Sequence, residues 1–178
     1  MSIYMSARNL IAIFVLSWPL NASTTQVDSI YTYLAPSHCK TVIVDKELGE
    51  SVQQCAGVAG YSLLLEDSDN RQSVTVVAPD RKRHPLNYSQ VITSAFSTLG
   101  DKAEWRVKRE GANALPIALI VRVFANEDSD SPQKRTSYLA VTKITREKIC
   151  VTARIKGGAT ANEEARRAAD TSTWEPCL

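Results

Sequence analysis

Pro116-Ile117-Ala118-Leu119-Ile120-Val121-Arg122-Val123-Phe124 is the stretch that decides how this chain folds. From Ile117 onward it is apolar at both alternating positions except for Arg122, as a strand buried on both faces requires. Proline suits the first residue of such a strand, because it has no N–H to give to a ladder. The run therefore reads as the central strand of a sheet.

The neighbouring sequence supplies its partners. Glu104 to Lys108 alternates, with Trp105 and Val107 on one side and Glu104, Arg106 and Lys108 on the other, so this strand has one buried face. The polar loop Asn126 to Arg135 connects the central strand to an antiparallel partner over Ser137 to Ile144. In the last strand, Ile149, Val151, Ala153 and Ile155 alternate with Cys150, Thr152, Arg154 and Lys156, which predicts one apolar and one polar face. Upstream, Thr41 to Val44 is a short β-branched run followed by a turn over Asp45 to Glu50. Tyr61 to Leu65 and Ser73 to Val77 form a hairpin around Asp67-Ser68-Asp69-Asn70.

Two segments have a helical period. Val91, Ile92, Ala95, Phe96 and Leu99 recur at helical spacing between Tyr88 and Leu99, with Gly100 placed as a stop. The sequence Thr160-Ala161-Asn162-Glu163 reads as a capping box opening a helix over Ala161 to Asp170, with acids early and Arg166 and Arg167 late. The expected fold class is α+β: a mostly antiparallel sheet of about six to seven strands, with one mid-chain helix and one C-terminal helix packed on it.

Residues 1–22 have the grammar of a secretory signal. Arg8 supplies positive charge, Leu10 to Trp18 form an apolar stretch, and Leu20-Asn21-Ala22 offers a cleavage site after Ala22. That apolar stretch is shorter than the roughly 20 residues of a membrane span. An uncleaved anchor helix is the alternative, against which Pro19 and the polar stretch Asn21 to Gln26 argue. The expected organisation is a signal peptide over 1–22 and one disulfide-bonded globular domain over 23–178, periplasmic or secreted, with no membrane span after cleavage.

All four cysteines fall in the mature part, which fits an oxidising compartment. Of the three possible pairings, Cys39 with Cys55 and Cys150 with Cys177 are preferred, because each joins sequence neighbours across a plausible fold-back. No C-x-x-C is present, and His38 and His84 complete no familiar ligand set, so no metal and no cofactor is expected. The 21 basic and 19 acidic residues give a formal charge of +2. That balance, with the single basic run Arg81-Lys82-Arg83-His84, carries no nucleic-acid footprint.

Catalytic patterns are equally sparse. There is no G-x-S-x-G, and the cysteines are expected to be oxidised, so nucleophilic catalysis lacks a nucleophile. Asp67 to Asn70 and Asp128 to Asp130 lack the glycine and glutamate of a calcium loop and read as turns. Gly57-Val58-Ala59-Gly60 lacks the lysine and helix of a phosphate cradle and reads as a chain turn beside Cys55.

Charges set on strands are the more informative feature. Arg122 interrupts an apolar strand and needs carboxylate or carbonyl partners, with Glu104 the natural candidate. The alternative is an arginine facing a ligand in a cleft. The candidate binding set is Tyr61, Arg71, Glu104, Trp105, Arg106 and Arg122.

Four segments together resemble an uncharacterised family of small exported proteins of Gram-negative bacteria, over Ser29 to Val123. They are Cys55 to Tyr61, Arg71 with Ser73-Val74, Leu99-Gly100 with Glu104-Trp105-Arg106, and Pro116 to Arg122. The resemblance implies export and the two-cysteine opening, and it brings no mechanism. The expected function is a non-enzymatic periplasmic binding or inhibitor-like module, comparable at class level to small exported lysozyme inhibitors, engaging an envelope protein, peptide or polymer. The alternatives are an envelope-acting hydrolase using Glu104 and a structural component of an envelope assembly.

Overall fold

The computed structural model describes residues 26–178 apart from 46, 112, 129 and 132, so the leader and its cleavage point lie outside the described residues. The strands are β1 (Val27–Tyr33), β2 (Cys39–Asp45), β3 (Glu50–Ala56), β4 (Ser62–Ser68), β5 (Arg71–Val77), β6 (Arg83–Pro85), β7 (Ser97–Glu110), β8 (Asn113–Ala125), β9 (Thr136–Ile144) and β10 (Ile149–Lys156). Four-residue α1 (Tyr88–Val91) and eleven-residue α2 (Ala161–Thr171) are the α-helical segments.

This architecture corrects the expected α+β class. Among the described residues, strands make up 55% and join in one mixed sheet of ten, with a single helix of seven residues or more. The mid-chain helix shrinks to one turn. Asn87 enters it in the left-handed region at φ 49°, with no side-chain cap. Just beyond the turn, the Thr93 hydroxyl accepts from the Ala95 N–H and donates to Glu127, a local bond that competes with continued helix. Ser97 to Leu99 are then taken up by pairing with Ala125 to Val123, so the apolar period of this segment loses to the sheet.

The sheet order is β10-β9-β8-β7-β5-β4-β3-β2, with β1 on β7 and β6 on β5. Strand β7 is shared. Its first residue, Ser97, pairs in parallel with Arg71 of β5, whereas Lys102 to Lys108 pair antiparallel with β1. Between these two regions β7 bulges: Leu99 faces Val123 and Ala103 faces Val121, so Gly100, Asp101 and Lys102 stand opposite Arg122 alone.

The two halves of the sheet fold over one core. Leu63, Val74 and Val76 from one half meet Trp105, Val107, Leu119, Val121 and Val123 from the other. β1 lies against β3 and β10 against β6. A second apolar layer sits on the outer face of β8 and β9, where Ala161, Ala165 and Ala169 of α2 cover Ala118, Ile120, Leu139 and Val141. Three alanines on one stripe let this helix lie close to the sheet. Its capping box does not form: the Thr160 hydroxyl donates to the Glu164 carboxylate and accepts from no N–H of the first turn.

β8 runs as the central strand expected, but Pro116 is not its first residue. The proline faces Val107 beside a second register shift in the β7–β8 ladder, where a missing N–H is tolerated. In β10 a bulge between Val151 and Ala153 breaks the single apolar face read from alternation. Ile149 and Val151 enter the main core, whereas Ala153 and Ile155 face α2.

Both disulfides join the expected cysteines, Cys39 with Cys55 and Cys150 with Cys177. The first crosses directly paired residues of β2 and β3, and the second pins the chain end along β10, where the Leu178 N–H also donates to the Val151 carbonyl. Two disulfides fit a protein matured outside the reducing cytoplasm. No helix among the described residues is long and apolar enough to cross a membrane.

Candidate functional site

The six residues singled out in the sequence fall in four places. Trp105 is fully buried on the inner face of β7, and its indole N–H donates to Thr32 Oγ1 at 2.9 Å. Tyr61 packs beside it, ring centroids 6.0 Å apart, and burial followed by the nearby Asp80 charge raises its hydroxyl pKa. Both belong to the core, not to a groove. Arg71 lies at the β4–β5 turn, where it donates to the Ser94 carbonyl, pairs with Asp69 and covers the Phe96 ring at 4.6 Å.

Glu104 and Arg106 come together on the outer face of β7, under α2. Arg106 meets Asp170 of the helix through two parallel bonds of 2.7 and 2.8 Å, and Arg166 donates to Glu104 at 2.6 Å. Ser29 bridges the two pairs, donating to Glu104 and accepting from Arg106, and Arg166 also donates to the Tyr31 hydroxyl. The Glu104 side chain is only 12% exposed. Burial pushes its pKa up, but hydrogen bonds from Arg166 and then Ser29 outweigh this and hold it below the usual carboxylate value. A carboxylate gripped in this way has no proton to donate near neutrality, and its bonds fasten the helix to the sheet.

Arg122 does not pair with Glu104. Its guanidinium donates to Ser137 Oγ at 2.6 Å and to Asn162 Oδ1 at 2.7 Å, two neutral oxygens from β9 and α2. Among the described residues no carboxylate lies within 4.0 Å of it. The side chain lines an open groove of about 540 Å³ with Thr98, Leu99, Phe124, Arg135 and the bulge residues Gly100, Asp101 and Lys102. Arg135 lies 5.0 Å from the Phe124 ring centroid and donates to Thr98 Oγ1, while Lys102 stands over Tyr33 at 5.4 Å.

The bulge builds this groove. Gly100 lets the strands come close there, because a Cβ at that position would stand a tight 3.1 Å from the Cβ of Arg122. Chemically the groove offers three cations against one lining carboxylate, Asp101. Arg122 is held in a fixed orientation while retaining N–H groups that its two neutral partners do not use. Lys102, Arg135 and Phe124 carry no motif in the sequence; only the bulge and the β8–β9 register bring them to Arg122. Compared with known protein families, characterised proteins and solved structures, the chain matches none.

Proposed function

We propose that this protein is an exported, non-enzymatic binding module that takes a carboxylate- or phosphate-bearing envelope peptide or polymer into the groove at the β7 bulge. The observation that carries this reading is the Arg122 guanidinium, oriented by Ser137 and Asn162 without a neutralising carboxylate among the described residues and flanked by Lys102 and Arg135. An arginine in that setting gains most from a planar anion able to accept two bonds at once. Phe124 and Tyr33 add flat apolar surface beside the cations, which suits a ligand with a carbon backbone between its charges.

The hydrolase alternative receives no support from Glu104, which is committed to Arg166 and Ser29. The binding reading is tested by titrating the full mature protein with tetraglutamate and with pyrophosphate at low salt. Arg122→Gln and Arg135→Gln are each expected to weaken binding about tenfold, and added salt to weaken it further. No binding of either probe at millimolar concentration, or binding indifferent to both substitutions, refutes it.

A further inference from the structure

Next to the Arg122 groove lies a smaller cavity of about 230 Å³, lined by two phenylalanines, Phe96 and Phe124. Its position follows from the register of β7 and β8. Phe124 comes two residues after Arg122 on β8, so the two share a face of the strand about 7 Å apart. It stands opposite Thr98 of β7 and Ser137 of β9. Phe96 lies one step further on, two residues before Thr98. Its carbonyl accepts from the Asn126 N–H, and the N–H of its neighbour Ser97 donates to the Asn70 carbonyl, both at 2.9 Å. These bonds fix Phe96 between the β4–β5 turn and the end of β8, where it stays 47% exposed.

The lining says which group fits. Among the described residues it holds no carboxylate, and Asn70, Asn126 and Thr98 are neutral. Its one cation among those residues is Arg135, which lies 5.0 Å from the Phe124 ring centroid, much as Arg71 covers Phe96 at 4.6 Å. The space is several times the about 30 Å³ of one water, enough to take a side chain. An aromatic ring entering it gains offset or edge-to-face contact with two phenylalanines and stacking on the planar guanidinium of Arg135, neither of which an alkyl chain offers.

The cavity and the groove share Thr98, Phe124 and Arg135 as lining, so one ligand reaches both. In an extended peptide alternate side chains project to one side at about 7 Å, the spacing that separates Arg122 from Phe124. We infer that the ligand is an extended acidic peptide carrying an aromatic residue two positions from an acidic one, its carboxylate on Arg122 and its ring between Phe96 and Phe124. This rests on the anion-binding reading of the Arg122 groove. Once the acid is bound, the ring enters as an intramolecular partner, so the two contacts reinforce each other.

The test is calorimetry on the full mature protein with tetraglutamate extended at both ends by a glycine and then a phenylalanine, against the same peptide with leucine or alanine in place of each phenylalanine. The phenylalanine peptide is expected to bind more than about fivefold more tightly than the alanine one, with leucine between them. Phe96→Ala is expected to bring the phenylalanine peptide down to the alanine one, and Arg122→Gln to weaken all three and tetraglutamate itself. Should Phe96→Ala disturb folding, nuclear Overhauser contacts on the parent protein replace it, and the ligand ring is expected to touch the Phe96 and Phe124 rings. A preference below about fivefold, a leucine peptide equal to the phenylalanine one, a preference that survives Phe96→Ala, or ring contacts elsewhere overturns this inference; the anionic groove still stands if tetraglutamate responds to Arg122→Gln. Tetraglutamate binding indifferent to Arg122→Gln overturns the groove and this inference with it.

Discussion

Asp170→Ala should loosen α2 from the sheet by an amount the geometry allows to be worked out. The Arg106 side chain is 10% exposed, and its main anionic partner is Asp170, bound through two short parallel contacts. Removing one partner of a fully buried ion pair costs about 3–5 kcal/mol, because the other charge stays desolvated. Two features lower that figure here: Asp170 is 32% exposed, and Glu104 stands 4.0 Å from Arg106 as a substitute. We expect a loss of about 2–3 kcal/mol, or roughly 5–10 °C in Tm for a domain of this size. Asp170→Asn, which keeps an acceptor, should lose about half as much. The double variant Arg106→Met/Asp170→Leu should recover most of the stability, since the desolvated charge is gone. Urea unfolding of the four proteins measures these values. Asp170→Ala within about 0.5 kcal/mol of the parent would refute the claim that this pair fastens the helix.

The same network predicts a pH dependence. The folded-state pKa of Glu104 is depressed, so its contribution is fully present above the unfolded value of about 4.3 and is lost as pH falls through the folded one. The stability gap between parent and Glu104→Gln should therefore be constant above about pH 5 and close on acidification; a gap that widens with acid contradicts the assignment. Gly57→Ala should destabilise by about 1–3 kcal/mol in thermal melts, because its Cβ would stand 2.6 Å from the Tyr61 carbonyl and 2.9 Å from the buried Trp105 ring. Cys150→Ser/Cys177→Ser opens a closure of 27 residues, worth about 3.5 kcal/mol in the chain-entropy account, and should speed amide hydrogen exchange around residue 177 and in β10 while leaving β2–β5 protected.

How far the sequence went depended on whether a signal was local. The hairpin β4–β5 was readable because Asp69 and Asn70 tolerate the left-handed φ of 51° and 55° that its tight turn needs. The core strands β8 and β9, the helix α2 and both disulfides were readable for similar reasons. β1 escaped notice although Val27, Ile30, Tyr31 and Tyr33 favour strands, because its pairing partner lies far along the chain. β3 is too polar to announce a buried face. The mid-chain helix misled because Val91, Ile92 and Phe96 keep a helical period that the β7–β8 ladder overrides. Trp105 and Arg122 stood together in the candidate binding set, yet adjacent strands carry them on opposite faces, and no pattern announces the bulge that decides what Arg122 meets.

β7 carries a consequence for the order of events as the chain is made. β1 emerges ahead of every other described strand, but the bonds it needs are on β7, some 75 residues downstream, as the Ser29–Glu104 contact measures. The meander β2–β5 needs only its own turns to assemble. The leading strand therefore idles as an unpaired ribbon until Ala103 and its neighbours arrive, and a nascent chain halted before them carries its own vacancy for a stranger's strand, which makes this interval the natural one for a chaperone to occupy.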